Sequence, residues 1–349
     1  MKKNLNFYLL ILLFILSSSC TQNHKTIAQT ENELFIANWN VENLFDTVDD
    51  PNKNDEEFLP SGDRNWDNKR LNTKLENLSK VIKYMNYGNG PDILGIEEVE
   101  NEELLKSLIN NYLKSDYYKT AYSESPDERG IDVGLIYNSR KFQLKKVESV
   151  KIKFDEPKSS RDILFVQLNY IITNEIINVF VNHWPSRREG LKESEKFRIN
   201  AAEALNAKIS EILEDDQNAN VIILGDFNDM PANISINKTL KAASFDCNDS
   251  KNDNSELFNL SYNLFQKGEG SYKYKDHWNM LDQIIVSKSL TDNKNLDYIC
   301  DSFKIIKPEF MIEKGGKFDG NPFPTYGGKK YLGGFSDHFP VGAKFTVKK

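Results

Sequence analysis

Apolar runs that stop at an acid, an amide or a histidine recur along this chain, and "VIILGDFNDMP" (221–231) shows the pattern at its sharpest. Four apolar residues meet Gly225, Asp226 and Asn228 stand on either side of Phe227, and the chain turns at Pro231. A strand that ends this way presents oxygen-bearing side chains to a metal, to a phosphate or to the first turn of the next helix. Similar runs end near Asn40 in "LFIANWN" (34–40), at Glu97 and Glu98 in "PDILGIEEV" (91–99), and at His183 after "INVFVN" (177–182). Further strands are expected at 130–138, 278–287 and 335–347, with an outer antiparallel pair within 139–170. Between them, Leu71, Leu75, Leu78, Ile82 and Met85 recur at helical spacing and predict a helix over about 67–86. Phe197, Ala201, Leu205, Ile209 and Ile212 predict another over about 191–214, and 101–113 a third. The polar region 233–270 reads as partly helical, and 318–334 as a Gly- and Pro-rich loop. Such a mixture fits an α+β sandwich of two mixed sheets packed face to face with helices outside, in one domain spanning 33–349.

Hydrophobic content of 39% and charged content of 28% describe a globular chain. The formal charge of −7 argues against a generally basic surface for nucleic acid, and leaves that work to a local basic cleft. "MKKNLNFYLLILLFILSSSC" (1–20) has two lysines, a short apolar run and small residues before Cys20. It reads as a lipoprotein-type signal with Cys20 as the lipidated residue, ordinary secretion being the alternative. Residues 21–32 read as a polar tether, so the expected location is extracytoplasmic, on a bacterial membrane. Cys247 and Cys300 can form one disulfide there, or remain free.

Asn40, Glu42, Glu98, His183, Asp226, Asn228, Asp282, Asp337 and His338 all fall at or just beyond apolar strands. Singly each has an ordinary reading as a cap, a turn residue or a solvated acid. Together they suit chemistry. Carboxylates and an amide favour Mg²⁺, or Mn²⁺, over zinc, and histidine transfers protons near neutral pH.

Six motifs then carry a resemblance: "NWNVENL" (38–44), "PDILGIEEV" (91–99), "VNHWPSR" (181–187), "GDFNDMP" (225–231), "WNMLDQIIVS" (278–287) and "SDHFPV" (336–341). In this order they resemble the endonuclease/exonuclease/phosphatase superfamily, whose members include DNase I-like nucleases, sphingomyelinases and inositol phosphatases. The resemblance implies a four-layer sandwich and a magnesium-dependent phosphodiester hydrolase. It implies Asn40 and Glu98 as metal ligands, with Asp337 and Glu42. Asp226 would prepare the attacking water, Asn228 would orient it, and His338, steadied by Asp282, would donate to phosphoryl oxygens, with His183 near the leaving group. Arg129, Arg187 and Arg188 are candidates for substrate contact, with Arg198 beside them and Trp278 from the fifth motif. The expected substrate is DNA or RNA. Lipid headgroups or small phosphodiesters are the alternative, with Phe323, Tyr326 and Tyr331 as the available apolar rim, and a non-catalytic surface binding protein is a third reading. A monomer is expected.

Overall fold

A computed structural model describes residues 32–156, 158–247 and 255–347. The expected signal segment with Cys20, and the tether up to residue 31, lie outside the described residues. Among the described residues no helix is long and apolar enough to cross a membrane.

In chain order the first half runs β1 (Glu33–Leu44), α1 (Asn68–Tyr84), β2 (Ile93–Val99), α2 (Glu102–Ser107), β3 (Tyr118–Tyr122), β4 (Asp132–Asn138), β5 (Phe142–Val150) and β6 (Ile163–Tyr170). There follow β7 (Glu175–His183), α3 (Glu195–Asp215), β8 (Asn220–Asp226), β9 (Ala242–Ser244), β10 (Leu257–Asn259) and α4 (Tyr262–Gln266). The chain ends with β11 (Tyr272–Tyr274), β12 (His277–Asn279), β13 (Asp282–Ser287), β14 (Leu296–Tyr298), β15 (Lys304–Ile305), β16 (Tyr326–Gly327), β17 (Lys330–Tyr331) and β18 (Val341–Val347). One mixed sheet has the order β14-β18-β1-β2-β4-β3, with β15 also on β18; the other is β5-β6-β7-β8-β13-β10-β9.

The strand period of two sorts side chains into layers. On β1, Leu34 and Ile36 face Val179, Val181, Ile222 and Leu224 of the second sheet. Phe35, Ala37 and Trp39 point the other way, onto Leu75, Leu78 and Val81 of α1. Phe180, Val221 and Ile223 cover α3 through Ala201, Leu205 and Ile209. Helix, sheet, sheet and helix therefore form the expected sandwich. Asp67 starts α1 as its N-cap, accepting from the Arg70 amide at 2.9 Å.

Several details differ from the sequence expectation. Tyr118–Tyr122 forms a strand the pattern did not single out. The described residues of the region 233–270 include two short strands besides helical turns. The expected strand 278–287 breaks at Met280 and Leu281: its first part pairs in a hairpin with β11, and its second joins the large sheet. The last strand begins at Val341, which leaves "FSDHFP" as a loop. Cys247 and Cys300 are joined in a disulfide that ties the loop after β9 to the loop after β14, one from each sheet.

Candidate active site

Strand register builds the site. His183 on β7 stands opposite Asp226 on β8, and Asp226 stands opposite Asp282 on β13, so three chemical side chains form one row. Gly225 allows that approach: its φ is +151°, and a Cβ there would lie 2.1 Å from the Asn182 carbonyl oxygen. From the other sheet, the parallel pair β1 and β2 brings Asn40 level with Glu97. A bulge after Glu97 then inserts Glu98, at φ +64°, without a partner on β4. The bulge divides two adjacent acids. Glu97 stays buried on Asn38 Nδ2, which donates to it at 3.2 Å, while Glu98 lines the cavity. Burial, then the neighbouring Asp282 and Asp226, hold Glu97 well above the ordinary carboxylate range.

Asn40 Nδ2 donates to Asp226 Oδ2 at 3.0 Å and to Glu98 Oε1 at 3.3 Å. The Asn228 amide, at φ +48°, donates to Asp226 Oδ1 at 2.8 Å. Burial raises the Asp226 carboxyl to about 6, against the opposing pull of His338. His338 Nδ1 and Asp282 Oδ2 are 2.7 Å apart, and Ser271 Oγ donates to the same carboxylate oxygen at 2.5 Å. Burial lowers the imidazole, but Asp282 and then Asp337 and Asp226 outweigh it and raise His338 well above its ordinary value. His183 is the reverse case. Burial first, then Arg161 and Arg129, push it well below its ordinary value, with Nε2 3.8 Å from both Glu98 and Asp226. Two histidines in one site are thus shifted in opposite directions.

These groups open onto a cavity of about 940 Å³. Glu98, His183, Asp226, Asn228, Asp337 and His338 line it, with Arg129, Arg187 and Arg188 on its wall. Asn40 and Asp282 are buried behind those side chains, in contact with them.

Three expected residues stand elsewhere. Glu42 does not line the cavity, because its two oxygens accept from the Thr325 amide at 2.6 Å and the Tyr326 amide at 3.1 Å. It clamps the Gly- and Pro-rich loop. Trp278 faces away, stacked on Phe339 with centroids 6.1 Å apart. Arg198 is buried, its Nε 2.8 Å from Asp229 Oδ1, an ion contact outside hydrogen-bond geometry. Arg187 is also drawn to that floor: its Nε donates to the Asn228 carbonyl at 2.5 Å, and its Nη2 lies 3.3 Å from Asp229. Removing Asp229 would strand the Arg198 guanidinium in the interior, so Asp229→Ala should cost about 3–5 kcal/mol of stability in urea unfolding. A loss below about 1 kcal/mol, typical of exposed pairs, would contradict this reading.

Two cations escaped sequence reasoning. Arg161 is buried, pairs with Asp127 at 3.0 Å and donates to the carbonyls of His183 and Trp184 at 3.2 and 2.9 Å. Lys74 is buried on the face of α1 toward the site, donating to Thr325 Oγ1 at 2.6 Å and the Phe335 carbonyl at 2.7 Å. Their charge gives no sequence signal of burial, since the partners are remote in the chain.

A hard cation fits the donors. Among the described residues no three acidic, histidine or cysteine side chains converge closely enough to cage an ion. Magnesium does not need a cage, because it keeps several waters and takes one or two carboxylates. Glu98 and Asp337 offer these on the cavity wall, and burial first, then Glu98 against the opposing pull of His338, raises the Asp337 carboxyl.

A two-sheet sandwich with acids and histidines gathered at the strand ends defines a class, and sequence comparison gives the family directly. The chain belongs to the endonuclease/exonuclease/phosphatase family, whose model matches residues 35–347, and so to a family of phosphoester hydrolases. No curated protein matches it significantly. Among solved structures it is similar to a humanized D. rerio TDP2, with a TM-score of 0.57 and 16% identity over 90% of this chain and 99% of that one. The human Nocturnin catalytic domain with bound sulfate matches with a TM-score of 0.55 and 16% identity, over 91% and 94% of the two chains. A mannosyl-6-phosphatase from Bacteroides thetaiotaomicron gives 0.55 and 15%, over 90% and 100%. At such identities the likeness concerns the fold alone.

Proposed function

We propose that the protein is a magnesium-dependent phosphodiester hydrolase acting on DNA or RNA. The observation that carries this reading is the row His183–Asp226–Asp282, completed by His338 in a cavity whose wall also carries Arg129, Arg187 and Arg188. A phosphodiester is an anion attacked by an electron-rich water, so the site must receive negative charge and still offer a base. With its carboxyl at about 6, Asp226 is ionised at neutral pH and close enough to it to accept the proton of the attacking water. The water oxygen bonds to phosphorus as the bond to the leaving oxygen breaks. His338, kept protonated against Asp282, donates to a phosphoryl oxygen as charge builds there. Neutral His183 can hydrogen-bond the diester without adding a second cation. Arg187 and Asn228 Nδ2, the latter donating to the Trp184 carbonyl at 3.0 Å, fix the turn after Asp226. Glu98 and Asp337, with Asn40 behind them, would hold Mg²⁺, which when bound polarises a phosphoryl oxygen and offsets developing charge.

The lipid-headgroup alternative has lost its apolar rim. Tyr326 packs on Trp66 and Tyr331, and Phe323 on Phe335, and none of the three lines the cavity. Assay of nucleotide release from DNA and RNA, beside sphingomyelin and inositol phosphates with Mg²⁺ present, tests the order. Cleavage of a headgroup with none of nucleic acid would reverse it.

Export to an oxidising compartment with Cys20 as a lipid anchor belongs to the same proposal. The Cys247–Cys300 disulfide supports it, since such bonds are rare where thiols are kept reduced. Labelling by a fatty-acid probe should vanish in Cys20→Ser; label retained in that variant would rule out this anchor.

A further inference from the structure

The hairpin β11–β12 has two unlike faces. Its register pairs Tyr272 with Asn279 and Tyr274 with His277, and between them Lys273 with Trp278. Alternation sends the middle pair to one side. There Trp278 lies on Phe339, with the ammonium groups of Lys273 and Lys307 at 5.3 and 4.9 Å from its ring. The other side faces the active-site cavity, which Tyr272, Tyr274 and Asn279 line. Tyr272 is already committed, its ring 4.7 Å from that of His338. Tyr274 is 58% exposed, and the nearby Lys275 ammonium, 5.3 Å from its centroid, adds a cation to the patch.

The cations lining the cavity divide in the same way. Arg129 and Arg161 pair with Asp127, Lys158 with Glu189 and Arg187 with Asp229. Arg188 is exposed and has no acidic partner among the described residues. A ligand entering the cavity therefore meets one exposed aromatic ring and, among the described residues, one guanidinium without an acidic partner.

We propose that Tyr274 and Arg188 form a subsite beyond the reacting phosphate, taking a nucleobase on the Tyr274 ring and a neighbouring phosphate on Arg188. The subsite fits single-stranded nucleic acid, whose bases are free to stack, and it rests on the phosphodiesterase reading. A duplex hides its base faces. A ring on a hairpin edge is also tolerant of sequence, because every base has a π-face.

The test is equilibrium binding of a fluorescently labelled oligothymidylate to the full protein in EDTA, followed by anisotropy so that no turnover intervenes. Tyr274→Ala should weaken binding about 5- to 150-fold, the range for loss of one stacked base, and Tyr274→Phe should retain it. A fully abasic strand of equal length should bind wild type more weakly and should not distinguish wild type from Tyr274→Ala. Arg188→Ala should reduce the slope of log affinity against log salt by about 0.7, the value for one phosphate on a single strand. Equal affinity of wild type and Tyr274→Ala, an equal loss on the abasic strand, or an unchanged salt slope in Arg188→Ala would overturn the subsite. Hydrolysis of bis-p-nitrophenyl phosphate with Mg²⁺, run in parallel, separates the two readings. Turnover of that small diester with no binding of the oligonucleotide sinks the subsite alone. Binding through Tyr274 with no diester hydrolysis supports the subsite and sinks the hydrolase.

Discussion

Asp226→Asn is expected to lower kcat by at least about a hundredfold, which is about 2.7 kcal/mol of barrier, with little change in stability. Asparagine keeps the size of the side chain and an oxygen for the Asn228 amide, which now donates to Asp226 Oδ1 at 2.8 Å. It loses the charge and the basicity. A neighbour is a poor replacement: burial and the charges of Arg161 and Arg129 oppose protonation of His183, and Asp282 is bound to His338 and Ser271. Turnover of bis-p-nitrophenyl phosphate and the urea midpoint, measured on the same sample, check this. Near wild-type kcat in a folded variant would remove Asp226 from the chemical step.

Glu98→Gln should raise the Mg²⁺ concentration for half-maximal activity by about tenfold or more and should reduce maximal turnover sharply. Losing even an outer partner of a metal ligand commonly costs about 10- to 100-fold in affinity. The backbone argues for the role independently of charge. A glutamate at φ +64° occupies a conformation that side chains other than glycine seldom adopt, and the bulge that sets it there aims Glu98 into the cavity. Glutamine can still accept from the Asn43 amide, now 2.8 Å from Glu98 Oε2, so the local turn should survive. Calorimetric titration of Mg²⁺ gives a readout apart from turnover. An unchanged isotherm and an unchanged metal optimum would show that Glu98 holds no metal.

Much of this architecture was legible because burial leaves a period in the sequence. The helical spacing of Leu71, Leu75, Leu78 and Ile82 places α1 within two residues of its observed ends, 68 and 84. The ends of β7 and β8 were legible for the same reason, at His183 and Asp226, whereas β1 runs past Asn40 to Leu44 and Asp282 opens β13 instead of lying within a strand from 278. What escaped depends on facts a linear pattern does not carry. Trp278 lies in an apolar stretch that reads as one strand, but the break at Met280 and Leu281 decides which way its ring points. Arg198 sits at a helix start, where arginines are usually solvated, and only the arrival of Asp229 from 31 positions further along makes burial tolerable. Glu42 illustrates a third cause. Its motif fits a metal ligand, yet backbone amides of a loop more than 280 residues away take both oxygens.

On the proposed reading, the site built on His183, Asp226 and Asp282 hydrolyses nucleic-acid phosphodiesters with a hard metal ion. The direct measurement treats the purified protein with EDTA and returns Mg²⁺ to one half. Labelled single-stranded DNA and RNA are then incubated with each half and resolved by size. Shortened strands are expected only where Mg²⁺ has been restored, and none with Asp226→Asn. Intact strands of both kinds in the presence of Mg²⁺, or cleavage that proceeds equally in EDTA, would contradict it.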